Sequence, residues 1–448
     1  MLSPQAATDR AADLVSRARQ AGADAADAVY VANASEGIQI RLGRLEDVER
    51  SEGEQIGLRV FVGNRSASIG SSDLTPAALD ELAARAVAMA RAAPEDRFAG
   101  LAPEELLSHG PFADFDTFDP LDPGAEALRA AAEEAEEAAR AVSGVTNSDG
   151  ASASAGSSVF ALVTSHGFAG GYRGSSHAIS ASVVAGEGAS KQRDSAWRHT
   201  RHRADLPSPA EIGRLAGERA VTRLKPARVR SGPMPVVFDP RVSSSIVGHL
   251  ISAMSGNAIA RRSSFLLDKL GAQLFAPSIL IIDNPHKPRG VRSRPFDGEG
   301  LPTSRSNLIE DGRVTGWLMD SAAARQLGAL PTGHAARGSG GAPGVSVSNV
   351  HMAAGTISRD ALVSDIREGI LVTELIGQGV NGVTGDYSRG ASGFRIVDGV
   401  IAEPVAEFTV AGNLLAMFAQ MTPADDLEWH RPINVPTLRI DGMTVAGD

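Results

Sequence analysis

No cysteine occurs anywhere in the 448 residues. That absence excludes disulfides, a thiolate nucleophile and thiolate metal ligands. Aromatic residues make up only 4% of the chain, so a core must be filled by small and aliphatic side chains. The dipeptide His-Glu is missing too. With it goes the zinc helix in which two histidines on one face hold the metal and a glutamate activates water. Positive charge is in deficit: the net charge of −10 argues against a nucleic-acid-binding face. Apolar runs such as 279–282 are far too short to span a bilayer. The first residues form a polar, helix-like segment rather than a signal peptide. The expectation is a soluble, cytoplasmic protein with no membrane and no direct nucleic-acid partner.

Hydrophobic residues make up 43% of the chain, enough to bury a core, and its length suggests two or three domains. A capping residue followed by proline recurs as Ser3-Pro4, Thr75-Pro76, Asp122-Pro123, Ser208-Pro209 and Asp239-Pro240. The side-chain oxygen accepts a free N–H of a first helical turn, and proline fits the next position because it has no N–H to satisfy. Helices are therefore expected over 4–21, 76–93 and 123–143, and from Asp239-Pro240 to Ser255. Between them the pattern turns to short strands joined at Gly or Asn. Residues 27–71 read as a five-strand meander, and 145–203 read the same way.

The predicted fold is α+β. An N-terminal domain over 1–230 would hold two helix–meander–helix units, with helices against an antiparallel sheet and a connector at about 97–122. A β-rich C-terminal domain would span 231–448. Residues 331–344, rich in Gly and Pro, read as a mobile loop.

Candidate chemistry is sparse. Gly338-Ser339-Gly340-Gly341 approaches a nucleophile elbow, but no strand precedes it, and a flexible loop is the better reading. Gly377-Gln378-Gly379-Val380-Asn381-Gly382 lacks the lysine of a phosphate loop and reads as a tight turn. In Arg198-His199-Thr200-Arg201-His202-Arg203 the arginines would repel a metal cation, so a solvated strand is expected. The other histidines are scattered, and isolated histidines usually serve as hydrogen-bonded structural residues.

Several C-terminal phrases carry a resemblance. They include Ser244-Ser245-Ile246-Val247-Gly248-His249-Leu250, Arg262-Ser263-Ser264-Phe265-Leu266-Leu267-Asp268, Ser293-Arg294-Pro295-Phe296-Asp297-Gly298-Glu299-Gly300, Gly379-Val380-Asn381-Gly382-Val383-Thr384-Gly385-Asp386-Tyr387-Ser388 and Pro436-Thr437-Leu438-Arg439-Ile440-Asp441-Gly442. In this order they resemble the PmbA/TldE branch of the TldD/PmbA peptidase family. The resemblance implies a cytoplasmic protein tied to proteolysis, peptide maturation and, by an old name, modulation of DNA gyrase. The TldD type binds its metal through H-E-x-x-x-H and a later cysteine, and pairs with a PmbA/TldE subunit lacking those ligands. Here His249 falls on the second histidine, Ser244 and Ser245 on the first histidine and the glutamate, and Trp429 and His430 lie near the place of the cysteine.

The resemblance thus implies a non-metal subunit that shapes a cleft for unfolded peptides. No catalytic and no metal residue is assigned to this chain, which binds no cofactor of its own; a zinc-type metal is expected in a TldD-type partner. The partner in a dimer is a TldD-type subunit or a second copy of this chain. Ser244, Ser245, His249, Asp386, Tyr387 and Ser388 are the candidate cleft or peptide-binding residues. The alternatives are an autonomous hydrolase with a non-standard site drawn from His249, His430, Asp386 and Glu299, or a gyrase modulator acting without proteolysis.

Overall fold

The structure is a computed structural model and describes residues 1–447. Its helices start where capping predicts. Ser3 accepts the Ala6 N–H at the head of α1 (Pro4–Gln20), and Ser208 and Glu211 exchange the bonds of a capping box at the head of α4 (Pro209–Thr222). Two starts differ in detail. At α2 (Pro76–Ala92) the Thr75 side chain does not cap the helix and instead bonds Asp73. At α3 (Gly124–Arg140) the helix begins one residue after the proline, and Asp122 accepts the Gly124 N–H.

The strands are longer and fewer than the sequence suggests. Residues 25–71 form β1 (Ala25–Arg41), β2 (Arg44–Val62) and β3 (Arg65–Ser71). Gly37 and Gly53, which read as turns, stay in register opposite Glu49 and Asn33. The actual turn uses Leu42 and Gly43, whose φ values of 52° and 72° lie in the left-handed region. With β4 (Val145–Thr164), β5 (Ala169–Ala185) and β6 (Gln192–Thr200), they make one antiparallel sheet in the order β3-β2-β1-β4-β5-β6.

Alternation along β1 divides the two faces of this sheet. Ala26 and Ala28 pack under α1 and α2, and Ile38 and Ile40 pack under α3 and α4. Both helix pairs therefore cover the same face, at opposite ends of the long strands. The other face points Asp27 and Val29 at the C-terminal half, where Val29 clusters with Phe296 and Leu301, and with Phe168 from the β4–β5 turn.

That half is β-rich. Strand β7 (Gly232–Phe238) pairs in parallel with Glu368–Ile376 and antiparallel with Leu438–Ala446. Asp386–Val397 and Val400–Asn413 complete the ring, because the last of these also pairs with Leu438–Ala446 and closes a five-stranded barrel. A small second sheet lies beside it. Helix α5 (Pro240–Ala253) packs Val242, Ile246, Val247 and Leu250 into a core shared with Val236, Phe238, Ile370 and Val372. The α+β class is as predicted, with an antiparallel helix-flanked sheet followed by β-rich structure. Among the described residues no helix is long and apolar enough to cross a membrane.

Two local expectations fail. The 331–344 segment is tied down rather than free: Ala335–Ala336 pairs with Gly344–Val345, and the Arg337 side chain between them is fully buried against Asp27 of β1. The 198–203 stretch is not simply solvated either. Arg201 donates to the Ser175 carbonyl at 2.9 Å and to that of Val291, fastening β6 to the C-terminal half.

Candidate functional site

Helix α5 is built by Asp239, whose carboxylate accepts the Arg241 N–H at 3.0 Å, and by Pro240 in the first turn. Its apolar stripe is spent on the core. Ser245, Gly248, His249 and Ser252, spaced i, i+3, i+4 and i+7, form the opposite stripe and are half-buried or exposed. Ser245 turns back to the Val242 carbonyl at 2.7 Å, and Ser252 to that of Gly248 at 3.0 Å. Both hydroxyls are thus occupied by their own helix. Ser244 is half-buried on the same helix.

The His249 ring meets Tyr387 edge-to-face, with centroids 6.0 Å apart. Its Nε2 and the Tyr387 hydroxyl are buried, and neither has a hydrogen-bond partner of good geometry among the described residues. Burial, then the positive charge of Arg389, holds His249 below the usual imidazole range. Burial also pushes the Tyr387 phenol up to about 12. At neutral pH the site therefore holds a neutral imidazole and a neutral phenol beside a guanidinium. His249 lines a cavity of about 290 Å³ together with Ser252, Ser263, Phe265, Gln378 and Val380.

The 377–385 loop forms the other side. Gly379 packs against its own hairpin, where it accepts the Ser388 N–H at 2.7 Å and a Cβ would sit 1.6 Å from the Ser388 carbonyl oxygen. Gly377 and Gly385 have positive φ of 77° and 79°. Strand alternation then separates the predicted trio. Tyr387 points inward to His249, while Asp386 and Ser388 are exposed. Asp386 accepts from Thr384 at 2.7 Å and from Asn413 at 3.2 Å, which holds it below the usual carboxylate range and braces the loop.

The four residues of the autonomous-hydrolase alternative have separate surroundings. Glu299 is buried against Ser321 and Arg59, while His430 lies beside Trp197 and Arg431. Among the described residues, no hydrogen bond, ion pair or ring contact joins any two of the four.

A metal does not fit the α5 face. Its donors are one imidazole and self-bonded serines, with Arg389 adding positive charge, whereas a zinc site needs three or four N, O or S ligands. No group of three or more His, Cys, Asp or Glu able to hold a metal ion occurs among the described residues.

The sequence reading missed a buried charge cluster at the junction of the two halves. Asp27 sits between Arg59 and Arg337, with Glu299 alongside. Burial alone would raise Asp27, but the two guanidiniums overcome it and hold the carboxyl low. Only the phrase Asp297-Gly298-Glu299 gave a signal for it.

Three family models match in chain order: PmbA/TldA metallopeptidase domain 1 over residues 26–90, the central domain over 118–224 and the C-terminal domain over 231–447. The chain is also 36% identical over 412 residues to the metalloprotease PmbA of Escherichia coli O157:H7, covering 92% of this chain and 89% of that one. The chain belongs to the PmbA/TldD metallopeptidase family. Solved structures agree with this PmbA/TldD fold. A Bacteroides thetaiotaomicron protein described as a candidate modulator of DNA gyrase superposes with a TM-score of 0.90 at 25% identity, over 100% of both chains. TldE from Thermococcus kodakarensis shares the fold, with a TM-score of 0.86 at 20% identity over 98% of this chain and 100% of that one. The PmbA/TldD resemblance read from the C-terminal phrases is thereby established for nearly the whole chain.

Proposed function

We propose that this chain is the non-metal subunit of a PmbA/TldD-type peptidase, shaping one wall of a cleft for unfolded peptides. A TldD-type partner supplies the zinc-type metal, and the assembly is a cytoplasmic dimer. The observation that carries the reading is the outer face of α5. In a metallopeptidase family, this face offers a single neutral imidazole beside a guanidinium, a set suited to hydrogen bonding and not to holding a cation. Ser244, Ser245, His249, Asp386, Tyr387 and Ser388 are the candidate contacts. Among the described residues, His249 Nε2 and the Tyr387 hydroxyl are buried without a hydrogen-bond partner of good geometry, and Asp386 and Ser388 line the exposed side of the same strand. An extended peptide presents main-chain donors and acceptors whatever its side chains, which suits a cleft for unfolded chains.

The test joins the purified chain to a TldD-type partner and measures metal content, assembly and peptide cleavage. Tyr387→Phe and Asp386→Asn are expected to lower cleavage about tenfold, the loss of one or two hydrogen bonds, while the complex still sediments as a dimer. Unchanged cleavage in an intact dimer would remove the segment from the cleft. Stoichiometric metal on this chain alone would overturn the non-metal assignment.

A further inference from the structure

A second cavity, of about 430 Å³, lies where β6 and α4 meet α5 and the end of strand Glu368–Ile376. Six arginines line it, Arg193, Arg198, Arg219, Arg223, Arg241 and Arg431, against two carboxylates, Asp194 and Glu374. In a chain of net charge −10, this is a pronounced local reversal of sign.

The pairing is uneven. Arg223 is held by Asp194 and Glu374, and Arg241 by Asp194 and Asp239. Arg193 is an exposed side chain 3.7 Å from Asp149. Among the described residues, the carboxylate that Arg198 reaches is the exposed Glu428, at 3.8 Å, and Arg198 also donates to the Trp197 carbonyl at 3.0 Å. Among the described residues, Arg219 and Arg431 have no carboxylate within ion-pair distance. Arg219 donates to the Ser195 carbonyl at 3.1 Å, and Arg431 donates to His430 Nε2 at 3.2 Å while lying 4.9 Å from the centre of the Trp197 ring. Both are half-buried.

Partly desolvated guanidiniums with neutral partners cost free energy until an anion joins them. The neighbouring groups register the strain. Burial and then Arg241 lower Arg219 to about 10, and burial and then Arg198 and Arg431 lower His430 to about 4. His430 therefore stays neutral and accepts from Arg431 Nε, while Arg431 lines the cavity.

We propose that this cavity binds a small polyanion of the phosphate class, gripped by Arg198, Arg219 and Arg431. Planar guanidinium forks match tetrahedral phosphate oxygens in pairs, and two guanidiniums without a carboxylate beside a third that has only a long, exposed one call for more than the single charge of a carboxylate. The cavity is larger than orthophosphate needs, so a diphosphate or a phosphate ester fits the space as well. The site lies apart from the His249 cavity, and the proposal does not depend on the peptide-cleft reading.

The test is thermal unfolding and calorimetry of the full chain at constant ionic strength in a non-phosphate buffer, titrated separately with orthophosphate, pyrophosphate, ATP and an Asp/Glu-rich peptide. At least one phosphate compound is expected to raise Tm with its concentration and to give a saturable heat; the strongest of the three identifies the source. In Arg219→Gln/Arg431→Gln the affinity should fall at least tenfold, while the unliganded variant melts no lower than wild type because repulsion is relieved. Arg219→Lys/Arg431→Lys keeps the charge but loses the forks, and should weaken binding severalfold. It also serves as the test protein if the Gln variant does not fold. Equal phosphate effects on wild type and variants, or a response to the acidic peptide alone, would overturn the proposal.

Discussion

A carboxylate 3% exposed and surrounded by incomplete compensation makes an internal pH gauge, and Glu299 is such a group. It accepts from the Ser321 N–H at 2.8 Å and hydroxyl at 2.6 Å, but its nearest guanidinium, on Arg59, is 3.8 Å away and already committed to Asp27. Burial dominates and raises Glu299 from 4.5 to about 7. A raised acid holds its proton more tightly in the folded state. Its ionisation therefore costs nothing below the unfolded value, and stability is lost as pH climbs from 4.5 toward 7. At about 1.4 kcal/mol per unit, the loss is about 3 kcal/mol. Glu299→Gln cannot titrate and keeps an oxygen for Ser321. Urea unfolding should show the variant gaining on wild type by that amount between pH 4.5 and 7.5, and parallel pH profiles would refute it. Residues of this kind leave little trace in sequence. Glu299 sits in a recognisable phrase, but Asp27 is one acid in an ordinary strand. Its partner Arg337 lies 310 positions later, and no local periodicity links them.

At the scale of elements, legibility followed the local chemistry. Helices announced themselves because Ser3, Ser208 and Asp239 cap in place, each directly before its own proline. The strands of 27–71 were cut short because glycine has two uses, turning a chain and lying flat in a sheet, and Gly37 and Gly53 do the second. The His249–Tyr387 contact was half legible. Both residues stood in the family phrases, but the alternation that buries Tyr387 and exposes Asp386 needed the strand's register. Helical glycines divide in the same way and predict opposite signs. A Cβ on Gly213 of α4 would lie 2.0 Å from the Ala135 carbonyl oxygen of α3, whereas one on Gly248 of α5 meets nothing within 4 Å. Gly213→Ala should force the helix pair apart and cost about 1–3 kcal/mol. Gly248→Ala should gain up to about 1 kcal/mol from helix propensity alone. Denaturant midpoints decide both, and a neutral Gly213→Ala would mean that the close α3–α4 approach does not constrain the fold.

The molecule as a whole is joined through charge as much as through apolar contact. Phe296 and Leu301 bring an apolar patch to the sheet face around Val29. Beside it Asp27 takes Arg59 from the neighbouring strand and Arg337 from the far half, with side chains 8% and 0% exposed. Arg337 also bonds the Gly338 carbonyl at 2.9 Å and that of Gly341, so the same guanidinium shapes the 338–341 loop. The loop then lies so close to the sheet that a Cβ on Gly57 would fall 2.3 Å from the Ser339 carbonyl oxygen. A glycine-rich stretch that reads as mobile is thus held by a long-range ion pair, by the pairing of Ala335–Ala336 with Gly344–Val345 and by the Ser339 hydroxyl, which donates to Gln55 at 2.6 Å, none of which sequence composition can register. Asp27→Asn removes the shared carboxylate and leaves two buried guanidiniums, a change expected to cost about 3–5 kcal/mol. Arg337→Met removes one charge, leaves Asp27 paired with Arg59, and should cost less. Both variants should open the 338–341 loop to limited proteolysis, because each breaks the tie between Arg337 and β1. The two measurements separate the roles of the cluster. Protease resistance in a folded Arg337→Met chain would show that glycine packing and the Ser339–Gln55 bond seat the loop without the ion pair, and equal stability losses would show that Arg59 does not compensate Asp27.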